Sequence, residues 1–355
     1  MAVSKQLIIL ILRCFPRREW NLIVDDFICP RASKKAPLVK YHFDHSQKPN
    51  RPQFLWGQQW LAVHLSLSWG KLVAALPLIL RLHKNTGNTT KLTGAVAIIR
   101  AILPIFKNAQ ITTIRVLVDA WFMKANFILP LVKRGLSVIG QVRKDTALFL
   151  MPEKSSNSYR GRPKKYGSRI TDPWVENLPT NIVNVDTYGS VKQVKYRSAL
   201  CLARFLDGLP VIALWCQLPE QTSWTLIIAT DLSLTPERII KLYGRRWKIE
   251  PMFNEIKHSY GVAHAWEQST QALYRWVSIL CVAYSLTRML SLLYRSTREL
   301  SALIPWRSKS PATAGLVRNA LVLFFRRYGF ISLWQPKSKK LLLLQAQNWS
   351  WKATG

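Results

Sequence analysis

Acidic residues are scarce in this sequence. Its 355 residues include 18 Asp and Glu against 51 Lys and Arg, which gives a formal net charge of +33 and a pI near 10.4. From Ser301 to Gly355 there is no carboxylate side chain, although lysines and arginines recur there. Solubility alone does not need so one-sided a balance. The surplus predicts a polyanionic partner, because basic side chains that neutralise phosphates release condensed counterions.

The sequence also lacks paired cysteines. Its five cysteines are odd in number and far apart, and no Cys-x-x-Cys occurs. This pattern argues against a disulfide framework and against a zinc cage, and it favours a reducing cytoplasm.

Long apolar runs are missing as well. Leu7–Leu12 is too short for the core of a secretory signal and ends at Arg13. The longest apolar stretch, from Trp276 to Thr287, is about half a bilayer span and has an arginine on each side. We therefore expect a buried helix there and no contact with a membrane.

The first half of the chain alternates between strand-like and helix-like segments, which predicts an α/β fold. The strand-like runs are Asn21–Val24, Phe54–Leu67, Leu72–Leu80, Thr113–Val118 and Ser137–Val142, and the helix-like runs are Thr93–Phe106 and Trp121–Lys133. Two of these strands are each followed by an aspartate, Asp25 after the first and Asp119 after the fourth.

The composition changes in the centre of the chain. Lys154–Tyr166 is rich in serine, glycine and basic residues and predicts a loop. Ile182–Leu218 alternates as antiparallel strands do, and helical spacing returns after Thr235, a capping candidate. We expect four parts: residues 1–144 as the first part of the α/β core, 145–234 as a β-rich insertion, 235–298 as a helical completion of the core, and 299–355 as a basic C-terminal region.

The most specific pattern is a polar stripe on a predicted helix. Four side chains fall within a band about 60° wide at about 100° per residue: Tyr243, Arg246, Glu250 and Lys257. Pro251 should kink this helix, since proline lacks an N–H group. A solvated face with ion pairs would explain the charges, but it would not require a phenol, a guanidinium, a carboxylate and an amine in this order.

The spacing Y-x2-R-x3-E-x6-K resembles the signature of the YREK group of bacterial insertion-sequence DDE transposases, whose catalytic domain is RNase H-like. The resemblance implies that Glu250 is the third metal-binding carboxylate. It also implies that Arg246 and Lys257 contact DNA phosphates, and that Tyr243 lies beside the bound strand end. The fold it implies is an RNase H-like core, a mixed five-stranded sheet with helices, interrupted by the β-rich insertion and followed by the helical, basic C-terminal region.

Two aspartates agree with that family in order and spacing. Its first catalytic aspartate ends the first strand, typically as Asp-Asp-Thr, and here the run is VDDF. Asp25 is the choice for this position and Asp26 the alternative, with Phe27 where threonine is common. The second catalytic aspartate ends the fourth strand and corresponds to Asp119 in LVDAWF. The resemblance covers residues 21–288.

Two other segments are candidate DNA contacts. The run SWTLII resembles the family segment whose tryptophan stacks on a base flipped out near the cut, which would be Trp224; an ordinary half-buried tryptophan is the alternative. The basic run RGRPKK contributes four candidate phosphate contacts, Arg160, Arg162, Lys164 and Lys165. A merely solvated basic loop is the alternative for that run.

The resemblance implies metal-dependent cleavage and strand transfer on DNA. Displacement at phosphorus is served by two divalent cations about 3.5–4 Å apart. Mg²⁺ (or Mn²⁺) prefers carboxylate oxygens, so Asp25, Asp119 and Glu250 would hold two such ions. The implied partners are double-stranded DNA, the terminal inverted repeats of an element and target DNA, bound by a homodimer. We expect a cytoplasmic, nucleoid-associated location.

Two alternatives to an intact transposase stay open. Only about twenty residues precede Asp25, too few for the separate N-terminal DNA-binding domain of the family, so we expect a truncated copy. Such a copy could be a remnant that binds DNA without catalysis. The other alternative is an RNase H-like nuclease without strand transfer, which the sequence does not separate from a transposase because cutting and joining use the same site.

Overall fold

A computed structural model of the chain describes residues 2–43, 52–70, 72–83, 88–153, 164–187, 190–293, 312–328, 334–335 and 340–341. Within these residues, eleven strands form one mixed sheet: β1 (Glu19–Pro30), β2 (Lys40–Phe43), β3 (Phe54–Trp69), β4 (Leu72–Leu82), β5 (Thr113–Val118), β6 (Ser137–Val142), β7 (Leu148–Phe149), β8 (Asn181–Thr187), β9 (Ser190–Ala203), β10 (Leu209–Gln217) and β11 (Thr225–Ala229). A separate short pair follows, β12 (Trp334–Gln335) and β13 (Lys340–Leu341).

Helices cover both faces of the sheet. They are α1 (Ala2–Cys14), α2 (Asn88–Asn108), α3 (Ala125–Val132), α4 (Asp172–Glu176), α5 (Pro236–Gly244), α6 (Ile249–Asn254), α7 (Thr270–Leu293) and α8 (Ala314–Tyr328). The short apolar run near the N-terminus belongs to α1, where Leu7, Ile8, Ile11 and Leu12 are buried in the core.

Five strands in the order β4-β3-β1-β5-β6 make up the core of the sheet. β1, β3 and β4 are antiparallel neighbours, whereas β5 is parallel to β1 and β6 is parallel to β5. This is the strand arrangement of the RNase H-like fold. The fold class expected from the sequence, a mixed α/β fold with an RNase H-like core, is therefore confirmed.

The strands between residues 145 and 234 extend this same sheet. β11 pairs antiparallel with β6, and β10 and β9 follow outward from β11. β8 and β7 both pair with β9. The β-rich segment is thus joined to the core by backbone hydrogen bonds along the edge of β6.

The two faces of the sheet bury different helices, because successive strand residues point to opposite faces. In β1, Leu22 and Val24 pack with apolar residues of α1, α2 and α3. Ile23 and Phe27 pack with apolar residues of α5, α6 and α7. We call these the α2 face and the α5 face.

Three predicted element ends are wrong. Helix α2 begins at Asn88 and not at Thr93. β1 does not stop before Asp25: its parallel pairing with β5 ends at Val24, but it continues to Pro30 in antiparallel pairing with β3. The helix expected from Trp121 begins only at Ala125. The reason is a tight turn after β5, in which an aspartate accepts hydrogen bonds from the backbone.

The apolar stretch from Trp276 to Thr287 lies inside α7, as expected for a helix. By length and composition alone α7 could cross a membrane, but half of its most apolar window is buried within the protein. It packs against β4 and α8, and the Tyr284 hydroxyl donates to Glu255 at 3.0 Å. These contacts are those of a helix that belongs to the core.

Candidate active site

Asp25 and Asp119 lie next to each other where the parallel pairing of β1 with β5 ends. Val24 and Val118 form the last pair of the β1–β5 ladder, and each is followed directly by its aspartate. Burial raises the pKa of Asp25 to about 7, and the negative charge of Asp119 adds to this rise. The structure therefore brings together the two carboxylates that the sequence placed at strand ends.

Asp119 is fixed by the turn after β5. Its Oδ1 accepts hydrogen bonds from the backbone N–H groups of Trp121 at 3.1 Å and Phe122 at 3.3 Å. Burial raises the pKa of Asp119, while the bond from Phe122 and the charge of Arg246 act in the opposite direction. Within the described residues Oδ2 has no hydrogen-bond partner, so one oxygen is held and the other is available to a ligand.

Arg246 approaches the pair from the α5 face. Its Nη1 lies 3.1 Å from Asp25 Oδ2, and the residue is only 8% exposed. Its guanidinium carbon also lies 5.6 Å and 5.0 Å from the ring centres of Tyr243 and Trp247. Burial alone would lower the pKa of Arg246, but the Tyr243 hydroxyl and the two aspartates outweigh it and raise the pKa. Arg246 is therefore a fixed positive charge beside the carboxylates.

Asp26 points to the other face of the sheet. Lys91 Nζ of α2 lies 3.0 Å from Asp26 Oδ1, and the Gln59 amide donates to Oδ2. Lys91 is itself buried and lies 3.6 Å from the centre of the Trp121 ring. Both oxygens of Asp26 are engaged in these contacts, which favours Asp25 over Asp26 as a metal ligand.

Tyr243 and Lys257 lie on the α5 face with Asp25. Tyr243 is buried, and its hydroxyl is 3.5 Å from Gln141 Oε1 of β6. Lys257 Nζ lies 4.7 Å from the ring centre of Phe27, the residue that stands where threonine is common. Phe27 also packs against Phe253 at 4.7 Å between ring centres. Phe27 thus packs β1 against α6, the helix that contains Glu250.

Glu250 differs from Tyr243 and Arg246 in its burial: those two residues are buried, whereas Glu250 is not. It is exposed, and its side chain has no ion pair or hydrogen bond within the part of the chain that the structure describes. The helix changes pitch: a 3₁₀ turn, Arg245–Lys248, separates α5 from α6, and a π turn, Glu255–Ser259, follows α6. Four residues at about 120° instead of about 100° turn Glu250 by about 80° relative to Tyr243.

Pro251 accounts for the tightened turn. Its ring has no N–H to donate and clashes with the carbonyl four residues earlier, that of Trp247, in a regular α-helix. The 3₁₀ turn ends at Lys248, just ahead of the proline, and the N–H of Ile249 bonds to the carbonyls of Arg246 and Trp247. The sequence predicted a kink at Pro251, and the structure shows a change of helical pitch just ahead of it.

The donor set fits a hard divalent cation at two of its three positions. Among the described residues, no three His, Cys, Asp or Glu side chains are grouped so as to hold a metal ion. Asp25 and Asp119 do converge, and a cation between them would oppose the rise in their pKa values. Glu250 follows Arg246 by four residues but points to solvent, so it would have to turn inward to complete the set.

The other predicted DNA contacts lie outside this cluster or outside the described residues. Trp224 directly precedes β11 and packs against the core of the α2 face. The Arg197 guanidinium carbon lies 4.9 Å from the centre of its ring. Lys164 is exposed, and Lys165 forms an ion pair with Asp207. Arg160 and Arg162 fall outside the described residues.

Lys91 is the residue near this site that the sequence interpretation missed. It lies at helical spacing from Ala95, Ile99 and Ile102, all of them buried. A lysine on the apolar face of a helix was the available signal, since such a charge is rarely buried without a partner. The sequence predicted that this helix begins at Thr93, so Lys91 was not assigned to it.

Comparison with known proteins identifies the family of this chain. Residues 72–286, more than half of the chain, match the family model described as Transposase DDE domain; that span contains Asp119 and Glu250 and begins after β1. Among solved structures, the piggyBac transposase synaptic complex with hairpin DNA is similar, with a TM-score of 0.39 and 14% identity over 92% of this chain. This chain spans only 55% of the length of that one. No curated protein matches.

Proposed function

This chain belongs to the Transposase DDE domain family, and from that premise we propose that it is a transposase of the YREK insertion-sequence group, which cleaves DNA and transfers strands with divalent metal ions. One observation carries the proposal: Asp25 and Asp119 are half-buried next to each other, at the point where the parallel pairing of β1 with β5 ends. Two carboxylates at one point are costly when both are ionised, so the pair is suited to a cation.

Each residue of the cluster has a role in this proposal. Asp25 and Asp119 would hold Mg²⁺ or Mn²⁺, with Glu250 as the third ligand when its side chain turns inward. Bound there, two such ions would activate the nucleophile and stabilise the leaving oxygen at phosphorus. Arg246 opposes the rise in the pKa of Asp25 and orients its carboxylate through a 3.1 Å contact. Lys257 and Tyr243 would contact the DNA strand end.

The proposed substrate is double-stranded DNA: the terminal inverted repeats of an element and a target site. The net charge of +33 supports it, because a basic surface of this size is attracted to the phosphate backbone. We include in the proposal a homodimeric DNA complex and a location at the nucleoid in the cytoplasm.

The decisive experiment incubates the full chain with a labelled end of the DNA element that encodes it. We expect 3′ nicks and joined products in Mg²⁺ or Mn²⁺, and none in Ca²⁺ or EDTA. Asp119→Asn and Glu250→Gln should lose cleavage while they still bind the duplex. Glu176→Gln, an exposed carboxylate on α4, is the matched control and should cleave normally. Full cleavage by Asp119→Asn would show that the catalytic assignment is wrong.

A second candidate function is a protein that binds DNA without cutting it. The exposed position of Glu250 favours it, since only two of the three carboxylates lie together. The same experiment separates the candidates. Duplex binding without nicks in either cation indicates the non-catalytic protein, whereas nicks without joined products indicate a nuclease.

A further inference from the structure

A cavity of about 260 Å³ lies on the α5 face near the start of β1. Arg17, Arg238 and Arg245 form its walls, and Asn21 and Ser66 form its floor. We call it the arginine pocket. It is distinct from the carboxylate cluster, because Asn21 precedes Asp25 by four residues of strand, which is about 13 Å.

The floor of the arginine pocket is polar, buried and unpaired. Asn21 and Ser66 are directly opposite each other in the β1–β3 ladder, so their side chains share one face. They are 9% and 4% exposed, yet neither Asn21 Oδ1 nor Ser66 Oγ has a hydrogen-bond partner in the described part of the chain. A buried polar group without a partner destabilises the fold, so the unpaired Ser66 hydroxyl, which can donate a hydrogen bond, indicates a polar ligand at this place.

The walls carry positive charge that no carboxylate neutralises. Among the described residues, Arg17, Arg238 and Arg245 have no ion pair with an acidic side chain. The pKa of Arg245 is lowered by burial and, after that, by the charges of Arg238 and Arg17. The acidic residue at the rim, Glu19, is already bound to Arg115 at 2.9 Å. An anion would relieve this repulsion.

We propose that the arginine pocket binds a phosphate group, and that in the DNA complex this group belongs to the duplex backbone. Guanidinium groups donate paired N–H bonds to phosphate oxygens, which makes arginine the preferred side chain for this ligand. The Ser66 hydroxyl and the Asn21 amide can each donate a further bond. The choice of the duplex as the source of the phosphate rests on the proposed function.

The position of the pocket fits one duplex that also reaches the carboxylates. About 13 Å along β1 corresponds to about four nucleotide steps at ~3.4 Å per step. Arg245 and Arg246 are consecutive, and they reach the pocket and Asp25 respectively. The 3₁₀ turn that carries both arginines therefore links the two sites, and the pocket would fix the register of the DNA relative to the carboxylates.

The first test measures phosphate itself. Thermal unfolding of the full chain is followed in EDTA while inorganic phosphate replaces chloride at constant ionic strength. We expect phosphate to raise the Tm of the wild-type chain, and its apparent Kd to rise at least tenfold in Arg245→Gln and Arg17→Gln. Arg134→Gln is the matched control, because Arg134 is exposed and binds only a carbonyl of its own helix end. No phosphate effect, or an equal loss in the control, would overturn the proposal.

The second test identifies the source of the phosphate. Duplex binding is measured in EDTA over a range of salt concentrations, with no cleavage involved. Arg245→Gln should lower the salt slope of log K by about one and weaken binding equally for unrelated sequences, whereas Arg134→Gln should change neither. An unchanged slope would rule out the duplex backbone. Because neither test uses the chemistry of Asp25 and Asp119, a failure of the proposed function would leave both results intact.

If Arg245→Gln disturbs folding, Ser66→Ala provides an independent variant. Removing an unpaired buried hydroxyl should keep or raise the Tm of the chain without phosphate. It should nevertheless weaken phosphate binding by several fold. Unchanged phosphate affinity in a well-folded Ser66→Ala variant would contradict the role of the pocket floor.

Discussion

At the residue scale, the carboxylate of Asp25 is ionised only at a cost to the fold. Its pKa is raised to about 7 by burial and by Asp119, against about 3.9 in an unfolded chain. Between these values the folded state binds more protons than the unfolded state, so stability falls as the pH rises from about 4 to about 7. Above about pH 7 the whole unfavourable free energy of ionising Asp25 in the folded protein is present, unless a bound cation offsets it.

Asp25→Asn removes this titration. In EDTA we expect the variant to be more stable than the wild-type chain at pH 8, by on the order of a few kcal/mol, and the advantage to disappear near pH 4. Urea unfolding at pH 4, 6 and 8 measures it, with Asp172→Asn, an exposed aspartate, as the control. A stability difference that does not change with pH would contradict the raised pKa.

His64 makes the stability of the fold depend on pH in the opposite direction from Asp25. It is fully buried on β3, neither ring nitrogen has a hydrogen-bond partner among the described residues, and burial lowers its pKa to about 3. An unfolded histidine titrates near 6.5, so between about 3 and 6.5 the unfolded state binds more protons. The stability that neutral His64 allows is therefore lost as the pH falls below about 6.5.

His64→Phe should remove this acid sensitivity and keep the ring contact with Phe253, now 5.4 Å between ring centres. We expect a gain of about 1–3 kcal/mol at neutral pH, because two unpaired polar atoms are eliminated. His64→Gln is the control that keeps polarity without titration, so it should lose only the pH dependence. Chemical unfolding at pH 5 and 7 distinguishes the variants, and equal pH slopes for all three would contradict the prediction.

Asp25, Asp119 and Arg246, which the structure brings together, were each proposed from a local sequence motif. Lys91 and the arginine pocket were not, because they depend on contacts between distant segments: Arg17 and Arg245 are neighbours only after β1 and α5 have packed together. Local patterns do not carry that information.

At the element scale, the helix from Pro236 to Ser259 shows where periodicity arguments stop. The apolar pattern predicted a helix, and the cap at Thr235, which accepts from the N–H of Arg238, agrees with it. A constant 100° per residue did not allow for the 3₁₀ turn before Pro251, and this is why Glu250 was placed beside Tyr243. The strand prediction for β1 failed for a related reason, since pairing with β3 alone sustains a strand beyond the parallel ladder.

Pro251→Ala tests this account of the helix. Alanine restores an N–H group and removes the ring clash, so the turn before it can return to α-helical pitch. Glu250 should then rotate toward Tyr243 and Arg246, and we expect tighter Mn²⁺ binding and higher helical content. Titration with Mn²⁺ and circular dichroism measure the two effects. Pro236→Ala, at the start of α5, is a matched control that should leave Mn²⁺ affinity unchanged.

At the scale of the whole molecule, the order of the five core strands followed from short β-rich runs and a family resemblance. The docking of β7–β11 did not, because pairing of β11 with β6 joins residues almost ninety positions apart. One consequence is that Trp224, Asp25 and Asp119 lie in or directly beside strands of a single continuous sheet. Another is that the positive charge is spread over a folded body that includes both the core and its β-rich extension.

The last prediction concerns that charge. If about 6–10 phosphates are neutralised, the affinity for nonspecific duplex should fall by about 10³–10⁵ between 50 and 200 mM salt, because each contact releases counterions. The effect is independent of the metal site, so Asp119→Asn should show the same slope. A duplex whose phosphates are partly replaced by neutral methylphosphonates provides the control: it keeps the bases but should bind weakly and with a shallow slope. Anisotropy titrations at several salt concentrations measure both. A slope that is flat for the natural duplex, or equal for the two duplexes, would mean that the net charge of +33 does not act as a DNA-binding surface.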